Sequence, residues 1–415
     1  MSAIEQQGIE ASDDRLARWN ARVLAVAQAI YGLSAMIVIT MGAIVGHTLA
    51  DDKSLATLPV SLMLFGTAVA TVPASLLMQR IGRRPGFMLG AVLGLIGALL
   101  CTQAIVIGSF WLFCLGTHLT GYYQATALYY RFAAADTASE RFRPKAISWV
   151  LVGGVAAALL GPELIKYSKD WLAPAFHAGS FAATAILIVL AFVVLMLIRL
   201  PHLSAHTTDD AGARPMLEIL SQKRLLAAIA AGMVCYGMMA LVMTATPLAM
   251  VAYDHSVDDA AGAIRWHVLA MYAPSFFTGA LIARFGRDPI VMVGLLLLVT
   301  CAVVALSGVS LGQFTLAMIL LGIGWNLGFI GATAIVTDCH RPSERGKVQA
   351  LNDFLVFGFV SFCSFMSGKL LSTVGWQGVN IVVFPAVALA IGLVVVLARG
   401  TLERAPGGQV RRSAD

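Results

Sequence analysis

The sequence predicts an all-α membrane protein in which twelve transmembrane helices form two pseudo-symmetric six-helix bundles. Three observations lead to this fold class. Hydrophobic residues make up 59% of the chain and charged residues only 12%, whereas soluble proteins carry about 25% charged residues. Apolar stretches of helix length recur along the whole chain. A loop sequence in the first half also returns at a fixed distance in the second half, which indicates an internal duplication.

The apolar stretches are long enough to cross a bilayer as helices, because about 18 to 20 such residues span its hydrocarbon core. We predict spans one to twelve at 22–47, 56–78, 86–107, 110–134, 146–165, 176–200, 224–252, 261–283, 290–308, 312–336, 347–371 and 376–398. The longest polar interruption, 201–223, contains HTTDDAGARP and is predicted to be a cytoplasmic linker. It separates an N-terminal bundle (22–200) from a C-terminal bundle (224–399), and polar tails occupy 1–21 and 400–415.

The distribution of lysine and arginine predicts the orientation of the chain. With the N-terminal tail inside, 23 of the 28 Lys and Arg residues face the cytoplasm. The five on the outer side are Lys53, Lys166, Lys169, Arg265 and Lys369. The positive-inside rule therefore places both termini in the cytoplasm. It also explains the net charge of +6 without a nucleic-acid partner.

The repeated sequence lies in corresponding cytoplasmic loops of the two halves. RIGRRPGFMLG at 80–90 matches RFGRDPIVMVG at 284–294, and SER at 139–141 recurs at 343–345, both at an offset of 204 residues. Two matches at one offset indicate parallel six-helix repeats, the arrangement of transporters with a central cavity between the halves.

These loops resemble the signature of the major facilitator superfamily, a G-x-x-x-D-R-x-G-R-R-type sequence between spans two and three with a degenerate copy between spans eight and nine. Here QRIGRR follows Ser75 in the first copy and ARFGR follows Gly279 in the second, so the acidic position is absent from both. The resemblance implies a transporter that works by alternating access between its two bundles. The missing acid leaves open whether this loop has the family's salt-bridge gating role.

Enzyme motifs are absent from the sequence. It has no phosphate-binding Walker loop, no G-x-S-x-G and no H-E-x-x-H, and its six cysteines form no C-x-x-C. We therefore expect a transporter rather than an enzyme, driven by a gradient of substrate or protons or by the membrane potential.

Soft metal-ligand side chains occur on two successive spans. Cys235, Met239 and Met243 follow each other at four-residue intervals on span seven, which places them on one helix face. His267 and Met271 have the same spacing on span eight. Because the two spans run in opposite directions, the Met and His pairs can meet at similar depth in the outer half of the membrane. Thioether and imidazole ligands favour Cu(I), which predicts a copper site.

The alternative interpretation is core packing, a common use of methionine. With 17 Met in the chain, chance placement yields about 0.6 Met-x-x-x-Met pairs and about 0.3 His-x-x-x-Met pairs. Each motif alone is therefore uninformative, and only the match between neighbouring spans favours ligands. Cys235 is expected either to bind the metal after the Met and His ligands on the transport path or to be an inert buried thiol.

The four residues Met239, Met243, His267 and Met271 resemble the copper-importing branch of the superfamily, as do GWNLGFIGATA at 324–334 and VQALNDFLVFG at 348–358. That branch supplies bacterial cytochrome c oxidases. The resemblance implies copper import across the bacterial inner membrane, with copper as cargo and no bound cofactor. It further implies a monomer in the lipid bilayer that hands the copper ion to a cytoplasmic acceptor.

Two alternative functions stay open, and polar and aromatic residues at membrane depth bear on the first of them. The wider group also resembles riboflavin transporters, and aromatic side chains in a central cavity would suit a flat organic molecule. A copper sensor or assembly factor without transport is the other alternative. The residues that could line the cavity are His118, Tyr122, Tyr123, Gln124, Trp325 and Asn326. Glu163 is expected to reach interfacial water, and Asp353, beside Asn352, to take part in proton coupling or to latch a cytoplasmic arginine.

Overall fold

The computed structural model describes residues 3–139, 142–200, 214–341 and 344–402, and all regular structure within them is helical. The helices are α1 (Ala3–Leu49), α2 (Leu58–Ile81), α3 (Arg83–Ile107), α4 (Phe110–Ala127), α5 (Tyr130–Asp136), α6 (Arg143–Ser168), α7 (Ala178–Met196), α8 (Met216–Leu220), α9 (Lys223–Ala252), α10 (Val257–Tyr272), α11 (Ser275–Phe285), α12 (Arg287–Leu306), α13 (Leu311–Asp338), α14 (Arg345–Ile381) and α15 (Val383–Leu402). Most of the predicted linker, much of the C-terminal tail and part of each SER repeat lie outside the described residues.

Each predicted span coincides with one helix or with two successive helices. Nine of the described helices are long and apolar enough to cross a membrane, and α10 with α11 forms a tenth span bent by 43°. Span four consists of α4 and α5, and span twelve of α15 with the last turns of α14. The structure thus agrees with the predicted number and order of spans, although it adds breaks within them.

The break in span eight depends on a side chain from another helix. Pro274, between α10 and α11, cannot donate a backbone hydrogen bond, so the turn before it needs another partner. Asn326 of α13 supplies one, since its Nδ2 donates to the Met271 carbonyl at 2.6 Å. Its Oδ1 accepts from Thr278 Oγ1 at 2.6 Å. The expectation that Asn326 lines a cavity is therefore wrong in the described structure, where the side chain is fully buried as a helix–helix clamp.

The boundary between spans eleven and twelve lies at a glycine. Gly375 has a positive φ of 70° and interrupts the helical run from 345 to 381. A left-handed backbone conformation costs little at glycine, which has no Cβ. The predicted gap between 371 and 376 contains this residue.

The duplicated loops adopt the same backbone conformation in both halves. Gly82 precedes α3 with φ 92°, and Gly286 precedes α12 with φ 86°. These glycines occupy equivalent positions in the two sequence repeats. Both turns therefore use glycine's access to positive φ to reverse the chain between consecutive membrane helices.

The same loops carry matching ion pairs. Arg83 lies 2.7 Å from Asp136 at the end of α5, and Arg287 lies 2.8 Å from Asp338 at the end of α13. The arginine of each loop signature thus binds an acid at the inner end of span four or span ten. These acids lie outside the signature, and the pairs connect the loops to helices within the same half of the chain.

The linker contains structure that its composition does not predict. Helix α8 lies within the predicted linker, and Arg214 before it binds Glu344 at the start of α14. The Arg214 Nε and Nη2 atoms each donate to this carboxylate at 2.8 Å. A two-pronged arginine–carboxylate contact has a defined geometry, which explains why this end of the linker is held against the C-terminal half.

Candidate functional site

The outer ends of the two halves are joined by hydroxyl groups and backbone. Thr57, just before α2, accepts a hydrogen bond from the Gly368 N–H at 3.1 Å and donates to the Phe365 carbonyl at 3.3 Å. One turn deeper, Ser61 donates to Ser364 at 3.1 Å. These residues belong to spans two and eleven, so this contact closes the space between the halves on the outer side.

Two ion pairs strengthen this closure between α6 and α10. Arg265 lies 2.9 Å from Glu163, and Lys169 lies 3.4 Å from Asp258. The Glu163 side chain is half exposed and binds across the two halves; its contact with interfacial water stays a prediction. Exposed pairs of this kind contribute at most about 1 kcal/mol each, which makes the closure easy to reverse.

The space between the halves opens on the inner side, where Arg131 of α5 lies. Its side chain is solvent-exposed, yet it interacts electrostatically with Tyr236, Tyr272 and Asp353 of the C-terminal half. A guanidinium at membrane depth faces water or a partner rather than lipid. Since the outer end is closed, we infer a water-accessible central cavity that is open toward the cytoplasm.

Four aromatic rings pack together in the C-terminal half, and Arg131 lies within electrostatic range of one of them, Tyr236. We infer that this group of rings borders the cavity. The Tyr236 ring centroid lies 5.2 Å from Trp325, 5.1 Å from Phe329 and 5.6 Å from Phe357. Trp325 and Phe329 stack at 5.4 Å and 19°. The Trp325 indole Nε1 has no hydrogen-bond partner among the described residues. We call these four residues the aromatic cluster, which combines flat apolar surface with one buried donor that has no partner among the described residues.

The opposite wall comes from the N-terminal half. Tyr31 of α1 interacts electrostatically with Tyr236 and Tyr272, and its ring packs edge-on against Tyr123 at 5.5 Å. Tyr31, Tyr123 and Gln124 also line a narrow crevice within this half. Of these three residues, Tyr31 is the one that lies within electrostatic range of the aromatic cluster, through Tyr236.

The other span-four residues that the sequence suggested for the cavity face elsewhere. His118 Nδ1 lies 3.0 Å from the Leu62 carbonyl, and its ring stacks on Phe65, which is exposed on the outside of the bundle. Tyr122 lines a groove between α2, α3 and α4 together with leucines such as Leu89. Both expectations are wrong because these positions turn toward α2 and α3 rather than toward the other half.

The residues predicted as metal ligands are all buried. Cys235, Met239, Met243 and Met271 belong to one apolar core. His267 is fully buried, with Nδ1 2.9 Å from the Met318 carbonyl and Nε2 without a partner among the described residues.

Cys235 packs against Gly328 of α13, where a larger residue would meet its sulfur. The described residues contain no cluster of three or more His, Cys, Asp or Glu side chains suited to a metal. This is the setting in which methionine commonly serves as packing. Metal binding by Met239, Met243, His267, Met271 and Cys235 stays a prediction.

Sequence reasoning missed the most prominent cation of the cavity. Arg131 counts toward the cytoplasmic charge, yet it lies within the predicted span 110–134. A cation inside a predicted span is a functional candidate by itself, so its position within YYRF was the available signal. Tyr236 was missed because the four-residue spacing of Cys235, Met239 and Met243 identifies only the helix face next to it.

Comparison with known proteins bears on both fold and substrate. The Major Facilitator Superfamily family model matches residues 24–264 and 260–414. The Riboflavin transporter RfnT of Brucella anthropi is 48% identical over 382 residues, covering 92% of this chain and 96% of the relative. The uncharacterized MFS-type transporter YddS of Bacillus subtilis is 30% identical over 351 residues, covering 81% and 80%. A solved structure of a nucleoside transporter NupG mutant superposes with a TM-score of 0.70 at 12% identity, covering 93% of this chain and 99% of that one.

These comparisons correct the predicted substrate. Copper import, supply of cytochrome c oxidase and transfer to a cytoplasmic copper acceptor are contradicted, because a relative that is 48% identical over nearly the whole chain is named a riboflavin transporter. Membership of the copper-importing branch has no support. The structural reason for the error is that thioether spacing on one helix face serves a buried core as well as a metal. The predicted twelve-helix fold, the multi-pass inner-membrane location and the absence of an enzyme function are confirmed.

Proposed function

The chain belongs to the Major Facilitator Superfamily, and we propose that it transports riboflavin, or a flavin with the same ring system, across the bacterial inner membrane. The observation that carries this proposal is the aromatic cluster at the centre of the inward-open cavity. The riboflavin transporter relative supports the choice of ligand, since 92% of this chain aligns with it.

The aromatic cluster supplies the kind of surface on which a flat fused ring can stack. Offset or edge-to-face contacts at centroid separations of about 4.5–7 Å are favourable for aromatic pairs. Tyr236 and Trp325 are half-buried, so their rings have surface left for a ligand. The Trp325 Nε1 atom is buried without a partner in the described structure, so it would donate to a carbonyl or ring nitrogen of the flavin only after the indole turns toward the ligand.

Transport in this scheme needs a reversible outer closure. The outer contacts are weak individually, because a neutral hydrogen bond contributes about 0.5–1.5 kcal/mol and an exposed ion pair less than about 1 kcal/mol. Ligand bound between the halves would stabilise the approach of their inner ends. Rocking of the halves would then break the Thr57 and Ser61 contacts and open the cavity outward.

Riboflavin uptake by a riboflavin-requiring bacterium tests the proposal. Cells that express the chain should accumulate labelled riboflavin well above cells with an empty vector. Trp325→Leu should reduce this uptake at least about fivefold, since stacking of a flat heterocycle on an aromatic ring contributes about 1–3 kcal/mol and 1.4 kcal/mol corresponds to a factor of ten. Trp111→Leu is the matched control, because Trp111 is 68% exposed on the outside of the bundle.

Equal amounts of each variant in the membrane would be verified by immunoblotting. Accumulation no greater than in vector cells, with normal amounts of protein in the membrane, would contradict the proposal.

A further inference from the structure

The central cavity holds two opposite charges on different halves of the protein. Arg131 belongs to α5 in the N-terminal half, and its guanidinium lies 4.9 Å from the neighbouring Phe132 ring. Asp353 belongs to α14 in the C-terminal half, where Asn352 Nδ2 donates to it at 3.1 Å. Each side chain lies within electrostatic range of the other. Charges at membrane depth are costly, which makes such a pair a candidate for function.

The two charges do not neutralise each other directly. The ion pairs that the described residues form include no contact between Arg131 and Asp353. Arg131 is exposed and Asp353 is partly exposed, so both present hydrogen-bonding groups to the cavity. Arg131 also interacts electrostatically with Tyr236, the central ring of the aromatic cluster. The Arg131 guanidinium, a donor, and the Asp353 carboxylate, an acceptor, therefore lie on opposite halves of the protein near the aromatic cluster.

We propose that Arg131 and Asp353 bind the pyrimidinedione edge of the flavin ring. This inference rests on the proposed function. That edge carries two carbonyl oxygens on either side of one ring N–H. Arginine offers five N–H donors in a planar fork and no acceptor, and an ionised aspartate offers only acceptors. Arg131 donates to a ring carbonyl, Asp353 accepts from the ring N–H, and the ring plane lies against the aromatic cluster.

This arrangement explains why one charge comes from each half. A ligand held by a donor on one bundle and an acceptor on the other joins them through its own edge. Binding then favours the approach of the inner ends, which is the movement that alternating access requires. A flat ring without this edge would contact only the aromatic cluster and would not link the bundles.

Flavin binding to the purified full-length protein in detergent tests this assignment. Riboflavin and N3-methylriboflavin, whose ring N–H is replaced by N–CH₃, are titrated with protein, and binding is followed by quenching of flavin fluorescence. Wild type should bind riboflavin at least about tenfold more tightly than the methylated probe, because a site built for a donor rejects a ligand that lacks it. In Asp353→Leu this difference should disappear while binding of N3-methylriboflavin persists, which also shows that the variant is folded.

Two further variants distinguish binding of the flavin ring by Arg131 and Asp353 from an ion pair between these two residues. Arg131→Met should weaken riboflavin binding at least about tenfold, and Arg84→Met on the exposed cytoplasmic loop should not change it. Exchange of the charges, Arg131→Asp with Asp353→Arg, should leave binding impaired, because donor and acceptor then face the wrong ring atoms. Restored binding in the exchanged variant would indicate a direct ion pair and would overturn the inference.

The inference would also be overturned if Arg131→Met bound riboflavin with wild-type affinity, or if Asp353→Leu still bound riboflavin more tightly than N3-methylriboflavin. Neither result would contradict the proposal that the protein transports riboflavin. No riboflavin binding by the wild type would overturn the proposed function itself.

Discussion

Replacement of Gly368 by alanine should open the outer end of the cavity. Gly368 lies where α14 touches the start of α2, and its N–H donates to Thr57 Oγ1 at 3.1 Å. An added Cβ would collide with that oxygen and would lie 2.9 Å from Thr57 Cγ2 and 3.0 Å from Thr57 Cβ. Rotation of the Thr57 side chain could move its oxygen and methyl group but not its Cβ, which is fixed to the backbone at the start of α2. The added methyl group should therefore push α2 and α14 apart.

The expected size of the effect follows from the contacts that are lost. Overpacking of a closed interface costs about 1–3 kcal/mol, and the Gly368 hydrogen bond contributes about 1 kcal/mol more. The outer-closed conformation should therefore be disfavoured by about 2–4 kcal/mol. Since 1.4 kcal/mol corresponds to a factor of ten, the ratio of closed to open protein should fall at least about thirtyfold.

Labelling of a buried cysteine measures this opening. Ser61 lies in the closed interface and is 2% exposed, so Ser61→Cys should react slowly with a membrane-impermeant maleimide applied from outside. The six native cysteines are buried and give a low background. Labelling should accelerate strongly when Gly368→Ala is added.

Gly358→Ala on the same helix is the control, because its Cβ would have no neighbour within 4 Å. The reasoning is refuted if Gly368→Ala labels no faster than this control, since the described interface would then not be what closes the outer end.

Three further predictions concern residues outside the cavity. Met243→Leu should leave riboflavin uptake within about twofold of wild type, because volume-conserving core swaps cost less than about 1.5 kcal/mol; a tenfold loss of uptake would instead place Met243 on the transport path. Arg83→Ala should lower the thermal unfolding midpoint in detergent more than Arg287→Ala does, since the Arg83 ion pair is the less exposed of the two; the reverse order would contradict this. Hydrogen bonds from Arg214 lower the pKa of Glu344 in the folded protein. The pair should therefore stabilise the protein fully at pH values above the unfolded glutamate pKa of about 4.3, and this stabilisation should be lost as the pH falls toward the folded pKa. Glu344→Gln should therefore lower the unfolding midpoint at pH 7 more than at pH 4, and an equal effect at both would count against the pair.

The fold could be predicted from the sequence because bilayer insertion depends on quantities that composition and spacing report directly. Apolar length sets the spans, the Lys and Arg distribution sets the orientation, and the repeat sets the symmetry. The break in span eight is different, because Pro274 marks its position locally whereas the contact that stabilises it comes from Asn326 on a distant helix. Contacts of this kind are formed only when helices pack and leave no local signal.

The site was harder to predict because spacing identifies residues that share a helix face without showing what that face meets. Cys235 faces Gly328 within its own half of the chain, whereas Tyr236, one position further, reaches the cavity. Neighbouring positions on a helix point about 100° apart, so a shift of one residue separates core from site. The Cys235 face suggested a metal ligand, whereas the Tyr236 face suggests a flat organic ligand.

Riboflavin flux into proteoliposomes tests the central claim most directly. Vesicles that contain only the purified protein and unlabelled riboflavin inside should accumulate labelled riboflavin from outside by exchange, and an excess of external unlabelled riboflavin should abolish this signal. Trp325→Leu vesicles with equal protein content should exchange at least about fivefold more slowly. Exchange no faster than in protein-free vesicles, from protein that is monodisperse and correctly inserted, would contradict the assignment of this chain as a flavin transporter.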